Sequence, residues 1–230
     1  MAAFQAWLRQ LELQSLWEIL ITAAAALLCI TFHETCHGLA AFWLGDPTAK
    51  RAKRLSLNPL RHVDWMGLAM LALVKFGWAK PVPVDARNFK NPKLGMALTA
   101  LAGPAANVLL AYLGLVGYYL CLAAYHLTAA PFLSFILQFF YLLTVLSAGL
   151  AIFNLFPVPP LDGSKILFSL LPDRAYFVLM RYERYGSLLL MALLLAGVLD
   201  IPLHYLRGGL LALLEPAARP AYTLFLRIFS

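Results

Sequence analysis

Charged residues are scarce in this chain of 230 residues, since Lys, Arg, Asp and Glu together make up only 13% of it. Water-soluble domains carry roughly a quarter charged residues and about half apolar ones. Here 62% of the residues are hydrophobic. The composition excludes a sizeable water-soluble domain and predicts a single membrane-embedded domain over residues 1–230.

Cysteine is equally sparse, and its placement excludes a disulfide framework. Cys29, Cys36 and Cys121 are odd in number and lie in apolar segments. The formal net charge of +7 comes from basic residues in short loops between apolar segments. That is how cytoplasmic loops look under the positive-inside rule, so we expect a multi-pass protein of the cell membrane and no nucleic-acid partner.

The long apolar runs predict about four to six membrane segments, because a spanning helix needs roughly 20 residues. We expect spanning segments at 17–44, 95–125, 131–155 and 186–203. Residues 3–14 have apolar side chains at helical spacing and are predicted to form an interfacial helix. Residues 204–230 are predicted to be an interfacial tail or a further segment.

One apolar stretch, residues 65–79, is short for a span and contains Lys75. A stretch of this size is more often re-entrant or interfacial. It lies between two basic loops, which are most simply placed on the same side of the membrane. The "PVPV" of 81–84 suits an edge strand, because proline has no N–H for a ladder. The predicted fold is therefore a polytopic α-helical membrane protein with a small re-entrant β element at 65–90.

The stretch "CITFHETCHGLAAFWLG", residues 29–45, places His33, Glu34 and His37 inside an apolar run. A carboxylate at membrane depth is costly and calls for a chemical reason. On a helix, histidines at i and i+4 share one face and bind one Zn²⁺, and the intervening Glu lies beside the metal as a general base. A divalent cation beside Glu34 makes its charge tolerable.

A catalytic zinc takes three protein ligands, so a third one is needed. If 65–79 does not cross the membrane, the span ending near Phe156 returns to the side where His33 and His37 lie. That topology brings Asp162 of "NLFPVPPLDG" to them. Rival third ligands are His62, His126 and His204, all near segment ends or in loops, where an interfacial or hydrogen-bonding histidine is commoner. We interpret Asp64 as a turn residue and Cys36 as a packing residue.

Two other classes of protein fit part of this pattern. A metal or proton transporter would use His33, Glu34 and His37 as an ion site or relay. Further Asp, Glu, Lys, Arg or His residues in the other spans would favour this class, but 95–125 and 131–155 contain none. A catalytically inactive substrate-binding scaffold is the second alternative, and the intact Glu34 and Asp162 argue against it.

Five motifs, in order over roughly residues 20–170, resemble the site-2 protease family of intramembrane zinc metalloproteases. They are "HETCH", "SLNPLRHVD", "FGWAKPVPVDARNF", "ALAGPAANVLLA" and "NLFPVPPLDG". The resemblance implies that His33, His37 and Asp162 bind one Zn²⁺ per chain and that Glu34 is the general base. It also implies that Asn154 holds substrate or stabilises the oxyanion, with Asn107 as a weaker candidate. Both asparagines have the alternative of hydrogen bonding between helices.

The same resemblance implies regulated intramembrane proteolysis of membrane-spanning protein substrates. The basic loops predict that the active site lies toward the cytoplasmic side. The region around "GWAKPVPVDARNF" is similar to the one that receives an unwound substrate by strand addition. We expect a compact form without PDZ or CBS domains. Its partners are expected to be the lipid bilayer and a membrane-protein substrate, and a homo-oligomer is a further option. The chain departs from the family pattern at Cys36 and at Asp85-Ala86, where many relatives have Asn-Pro. The second departure bears on how a substrate strand docks.

Overall fold

The computed structural model describes residues 16–64, 66, 67 and 80–229, and this part of the chain is helical with short connections. Short 3-10 helices lie at Pro59–Arg61 and Ala86–Asn88. In chain order the α-helices are α1 Leu16–Trp43, α2 Thr48–Arg51, α3 Pro92–Thr128, α4 Leu133–Asn154, α5 Asp162–Ser169, α6 Asp173–Leu195, α7 Asp200–Ala218 and α8 Pro220–Phe229.

Within the described residues, three helices are long and apolar enough to cross a membrane. They are Trp17–Trp43 of α1, α3 and α4, on which the predicted segments 17–44, 95–125 and 131–155 fall. The expectation of a polytopic helical membrane protein is confirmed to this extent. Helix α3 has 37 residues, or about 55 Å at 1.5 Å per residue, so it is longer than a hydrocarbon core of about 30 Å.

The core lies where α1, α3 and α4 meet. Ala25 and Cys29 of α1 pack against Leu110 of α3 and Leu143 of α4, and all four are buried. Small residues allow the helices to come close, as expected for helix packing in lipid. A Cβ at Gly114 of α3, for example, would overlap the side chain of Thr144.

The segment predicted to span the membrane at 186–203 falls on two helices. Helix α6 ends at Leu195 and α7 begins at Asp200, and the segments on either side of this break meet at 88°. Gly197 has a φ of +67°, in the left-handed region that glycine adopts most readily, and it ends the helix there. The two segments together form either a broken span or a re-entrant loop.

The C-terminal residues form two helices that lie along α3. The hydroxyl of Tyr119 donates to Glu215 at 2.9 Å, and the His126 ring lies 2.8 Å from the Tyr222 hydroxyl. Pro216 is inside α7 and does not interrupt it. Pro220 is the first residue of α8, where its missing N–H costs no helical hydrogen bond.

The re-entrant β element predicted at 65–90 is not supported. Residues 80–85 have no regular secondary structure, residues 86–88 form a 3-10 helix, and no strand is found in the described part of the chain. The physical reason is that Pro81 and Pro83 have no N–H, while the N–H groups of Val82 and Asp85 donate to side chains. Residues 65 and 68–79, like the predicted interfacial helix 3–14, lie outside the described residues.

Candidate metal centre

Helix α1 presents two buried imidazoles on one face. His33 and His37 are one turn apart, and their rings meet nearly at right angles with centroids 4.5 Å apart. The two Nε2 atoms are 2.9 Å from each other. This is the arrangement that the i, i+4 spacing predicts, because residues four apart lie above one another on a helix.

Asp162, which is distant from this pair along the chain, lies next to both histidines. It is the first residue of α5, and its Oδ2 lies 3.2 Å from Nε2 of His33 and 3.1 Å from Nε2 of His37. The chain turns back after α4 so tightly that a Cβ at Gly163 would overlap the Leu155 carbonyl. The close backbone approach at Gly163 therefore brings Asp162 to the two histidines.

The donor atoms of these three residues fit a zinc ion. Nδ1 of His37 lies 2.6 Å from the Thr99 carbonyl oxygen, which can only accept, so Nδ1 carries the proton and Nε2 has a free lone pair. Two imidazole nitrogens and a carboxylate oxygen then converge. The distances between these three atoms are close to the ligand–ligand distance of about 3.3 Å in a tetrahedral zinc site. Such a donor set leaves a fourth position open, as catalytic zinc sites do.

Helix α3 closes one side of the centre. A Cβ at Gly103 would overlap the rings of both His33 and His37. Thr99, one turn earlier on the same helix, provides the carbonyl that orients His37. The "TALAGP" stretch of α3, residues 99–104, therefore gives the histidines both space and a hydrogen-bond acceptor.

Asp162 is held in its ionised form. Burial by itself would raise the pKa of this carboxyl, but the adjacent imidazoles of His33 and His37 bring the pKa below its ordinary value. An ionised carboxylate between two imidazoles is suited to a divalent cation, because it neutralises half of the cation's charge.

Glu34 faces the same cavity, which has a volume of about 300 Å³. Its Oε2 accepts a hydrogen bond from the N–H of Val82 at 2.8 Å. The cavity wall also includes His33, His37 and Asp162. The carboxylate expected to act as base and the metal-binding group therefore share one space.

The two asparagines named from the sequence lie in different places. Asn154 lines the cavity, and its Nδ2 donates to the Leu150 carbonyl at 3.0 Å, within α4. Asn107 is fully buried on α3 and does not line this cavity. Its main-chain carbonyl accepts a hydrogen bond from the Ser147 hydroxyl of α4 at 2.9 Å. The structure brings Asn154 to the metal-binding group and leaves Asn107 in the helix interface.

Two of the three rival histidines are engaged elsewhere, and His204 lies on α7, outside the metal-binding group. His62 lies 2.8 Å from the Ser56 carbonyl, and His126 is bonded to Tyr222. Asp64 accepts the N–H groups of residues 66 and 67, as a turn residue does. Among the described residues, the group able to hold a metal ion is His33, His37 and Asp162.

Sequence reasoning missed the groups that act through the backbone. The Thr99 carbonyl and the Val82 N–H leave no signal in residue types, because every residue but proline has both groups. Lys165, which also lines the cavity, was missed as well. Its position three residues after Asp162 on a short helix was a usable signal, because residues i and i+3 share a helix face.

Apolar membrane-spanning helices that enclose this His–His–Asp group and its neighbouring glutamate define a membrane-embedded zinc metalloprotease. Residues 121–197 match the family described as Peptidase family M50. The chain is 39% identical over 163 residues to "Putative zinc metalloprotease YwhC" of Bacillus subtilis, which covers 71% of this chain and 74% of that protein. It belongs to peptidase family M50, so the resemblance to site-2 proteases is confirmed.

Mycobacterial relatives agree with this assignment. The chain is 30% identical over 185 residues to "Putative zinc metalloprotease Rip2" of Mycolicibacterium smegmatis, covering 79% of this chain and 69% of that protein. It is 28% identical over 181 residues to the protein of the same name in Mycobacterium tuberculosis, covering 77% and 67%. No solved structure matches the chain at a significant level.

Proposed function

We propose that this chain is a single protease domain that cleaves membrane-spanning protein substrates in regulated intramembrane proteolysis. Its active site opens toward the cytoplasmic side of the cell membrane. The observation that carries the proposal is the shared cavity of Glu34, His33, His37 and Asp162 among helices able to span a membrane.

We assign His33, His37 and Asp162 as the ligands of one Zn²⁺ per chain. Bound there, zinc supplies a Lewis acid that polarises the scissile carbonyl and lowers the pKa of water. The Thr99 carbonyl keeps the lone pair of His37 directed into the site. Gly103 leaves room for both rings.

Glu34 is the general base of this proposal. It takes a proton from the attacking water and later delivers it to the leaving amine. Because the Val82 N–H occupies Oε2, we assign the proton transfer to Oε1. The hydrogen bond to Val82 restricts rotation of the carboxylate, so the transfer needs little reorganisation.

Asn154 is the residue to which we assign substrate holding or oxyanion stabilisation. A side-chain amide nitrogen has two N–H donors. One of those of Asn154 is used on Leu150, within its own helix. The second is available to a substrate carbonyl in the cavity that Asn154 lines.

A spanning substrate must unwind before it can be cut, because the backbone groups of a helix are already bonded to each other. Val82 and Val84 line the cavity in a segment without regular secondary structure. Because the Val82 N–H is bonded to Glu34, a docking peptide would pair with the other backbone groups of this segment. Its place at the cavity suits an unwound peptide that docks by strand addition.

The test combines zinc content with cleavage. Wild type, His37→Ala and Asp162→Ala are purified in detergent and their zinc is measured by mass spectrometry. Wild type and Glu34→Gln are then reconstituted in liposomes with a panel of single-span membrane proteins, and the fragments are identified. Asp173→Asn, which changes an exposed carboxylate paired with Lys93, is the matched acidic control.

We expect about one zinc per chain in wild type and in the Asp173→Asn control, and a clear reduction in both ligand variants. We expect Glu34→Gln to bind zinc without cleaving. Cleavage at the wild-type rate by Glu34→Gln would refute the role of Glu34 as general base. A wild-type protein that binds no zinc, even after incubation with Zn²⁺, would refute the proposed protease and favour a transporter.

A further inference from the structure

The cavity wall segment, residues 80–85, lies along α1. Val82 donates its N–H to Glu34, and a Cβ at Gly38, one turn further along α1, would lie 3.2 Å from the Val82 side chain. Asp85 donates its N–H to Asp46, just beyond the end of α1, at 2.8 Å. The wall segment therefore contacts α1 and the residues after it, from Glu34 to Asp46.

Asp46 holds the C-terminal end of this segment. Its carboxylate is fully buried and accepts from the Asp85 N–H at 2.8 Å and from the Asn88 side chain at 2.7 Å. It also accepts from the N–H and the hydroxyl of Thr48. A buried carboxylate is costly unless it is fully hydrogen-bonded. These four donors make Asp46 a tie between α1 and the wall segment.

Arg54 holds the N-terminal end. Its guanidinium is largely buried and donates to the carbonyl oxygens of Lys80 at 2.9 Å and Pro81 at 3.1 Å. The N–H of Lys80 donates in turn to the His62 carbonyl at 2.9 Å. Both flanks of the segment are thus bonded to the loop that follows α1.

The position of Val82 depends on these flanks because the segment has few bonds of its own. Pro81 and Pro83 have no N–H, so between the two flanks the backbone donors are those of Val82 and Val84. A single bond from Val82 to Glu34 would not by itself fix a loop against the entropy of ordering it. Buried ties at both ends place the Val82 N–H in front of the carboxylate.

We propose that Asp46 and Arg54 are positioning residues for Glu34: by holding the two ends of residues 80–85, they keep the Val82 N–H on the Glu34 carboxylate and so orient the general base. The inference rests on the proposed role of Glu34. Neither residue touches the metal-binding group, so their removal is expected to leave zinc bound.

The experiment compares Asp46→Ala, Asp46→Asn and Arg54→Ala with two controls. Arg87→Ala removes a guanidinium that is 90% exposed and paired with Asp85, next to the wall segment. Arg51→Ala removes an exposed arginine at the end of α2, three residues before Arg54. Amide exchange of peptides spanning 80–90 is measured by mass spectrometry, together with zinc content and, on any single-span protein that the wild type cleaves, kcat.

We expect exchange at Val82 and Asp85 to become about tenfold faster or more in Asp46→Ala and Arg54→Ala, with zinc unchanged, and kcat to fall about tenfold or more. Asp46→Asn, which keeps one acceptor oxygen, should lie between wild type and Asp46→Ala. In a Glu34→Asp background, whose shorter side chain reaches less far toward Val82, Asp46→Ala should lower kcat by less than about threefold, because the two changes act through one contact.

Exchange at Val82 within about twofold of wild type in both Asp46→Ala and Arg54→Ala would overturn the inference. So would a loss of kcat that is the same in the wild-type and Glu34→Asp backgrounds. These results are distinct from a failure of the proposed function, because exchange and zinc content are measured without any substrate. If no variant, wild type included, cleaves the panel, unchanged exchange at Val82 still refutes the positioning role and faster exchange still supports it.

Discussion

Nδ1 of His37 lies 2.6 Å from the backbone carbonyl oxygen of Thr99, so an imidazole on α1 takes its orientation from the main chain of α3. A side-chain partner of a metal-binding histidine can be removed by mutation, whereas this carbonyl remains whatever residue occupies position 99. The metal centre is therefore more sensitive to how closely α3 approaches α1 than to the Thr99 side chain.

The first prediction follows from that relationship. Gly103→Ala should weaken zinc binding about tenfold or more. The added Cβ would overlap both imidazole rings and push α3, with the Thr99 carbonyl, away from His37. Thr99→Ala is the matched control and should change the affinity by less than about threefold, since the carbonyl is kept. A competition titration with a chromophoric chelator measures both. Equal losses in the two variants would contradict the backbone assignment.

The second prediction concerns the turn that delivers Asp162. Gly163→Ala should lower both zinc content and the unfolding temperature, because its Cβ would overlap the Leu155 carbonyl and move the start of α5. Gly208→Ala in α7 is the opposite case, because nothing described lies within 4 Å of its Cβ. It should raise the free energy of unfolding by up to about 1 kcal/mol, the difference in helix propensity. Thermal unfolding in detergent and metal analysis check the pair.

The third prediction concerns pH. Burial by itself would raise the pKa of Asp46, but hydrogen bonds from Thr48, Asp85 and Asn88 bring that pKa below its ordinary value. A carboxyl whose pKa is lower in the folded state stabilises the fold fully above its ordinary pKa of about 3.9. That stabilisation is lost as the pH falls below this value, through the lowered pKa.

Wild type and Asp46→Asn should accordingly differ in unfolding temperature by a constant amount at and above about pH 5. The difference should shrink as the pH falls below about 4, because the wild-type carboxylate becomes protonated. Thermal unfolding of the two proteins from acid to neutral pH measures it. A difference that grows on acidification would contradict the sign of the shift.

The fourth prediction concerns Asp85, which caps the 3-10 helix Ala86–Asn88. Its carboxylate accepts the backbone N–H of Arg87 and pairs with the exposed Arg87 guanidinium. These hydrogen bonds lower the pKa of the Asp85 carboxyl to about 2. Asparagine caps such a turn as well as aspartate does. Asp85→Asn should therefore change cleavage of the substrate panel by less than about threefold. A larger change, or a new set of cleaved substrates, would show that the carboxylate takes part in docking.

Some of the structure was predictable because it depends on neighbours in the chain. Apolar runs determine which helices are able to span a membrane, and the i, i+4 spacing puts His33 and His37 on one face of α1 whatever α1 packs against. The bend at 196–199 was missed because the apolar pattern continues through it. Only the backbone conformation at Gly197 shows that the helix ends there.

The sequence by itself determined the membrane class, the paired histidines and the glutamate beside them, because composition and helical periodicity act over one or two turns. The order of the membrane segments also indicated Asp162 as the third residue of the group, and the structure places it there. Tertiary structure alone decided that the Thr99 carbonyl orients His37 and that the Val82 N–H bonds to Glu34. Those two contacts join residues far apart in the chain and use backbone groups that every residue but proline carries, so no residue pattern records them.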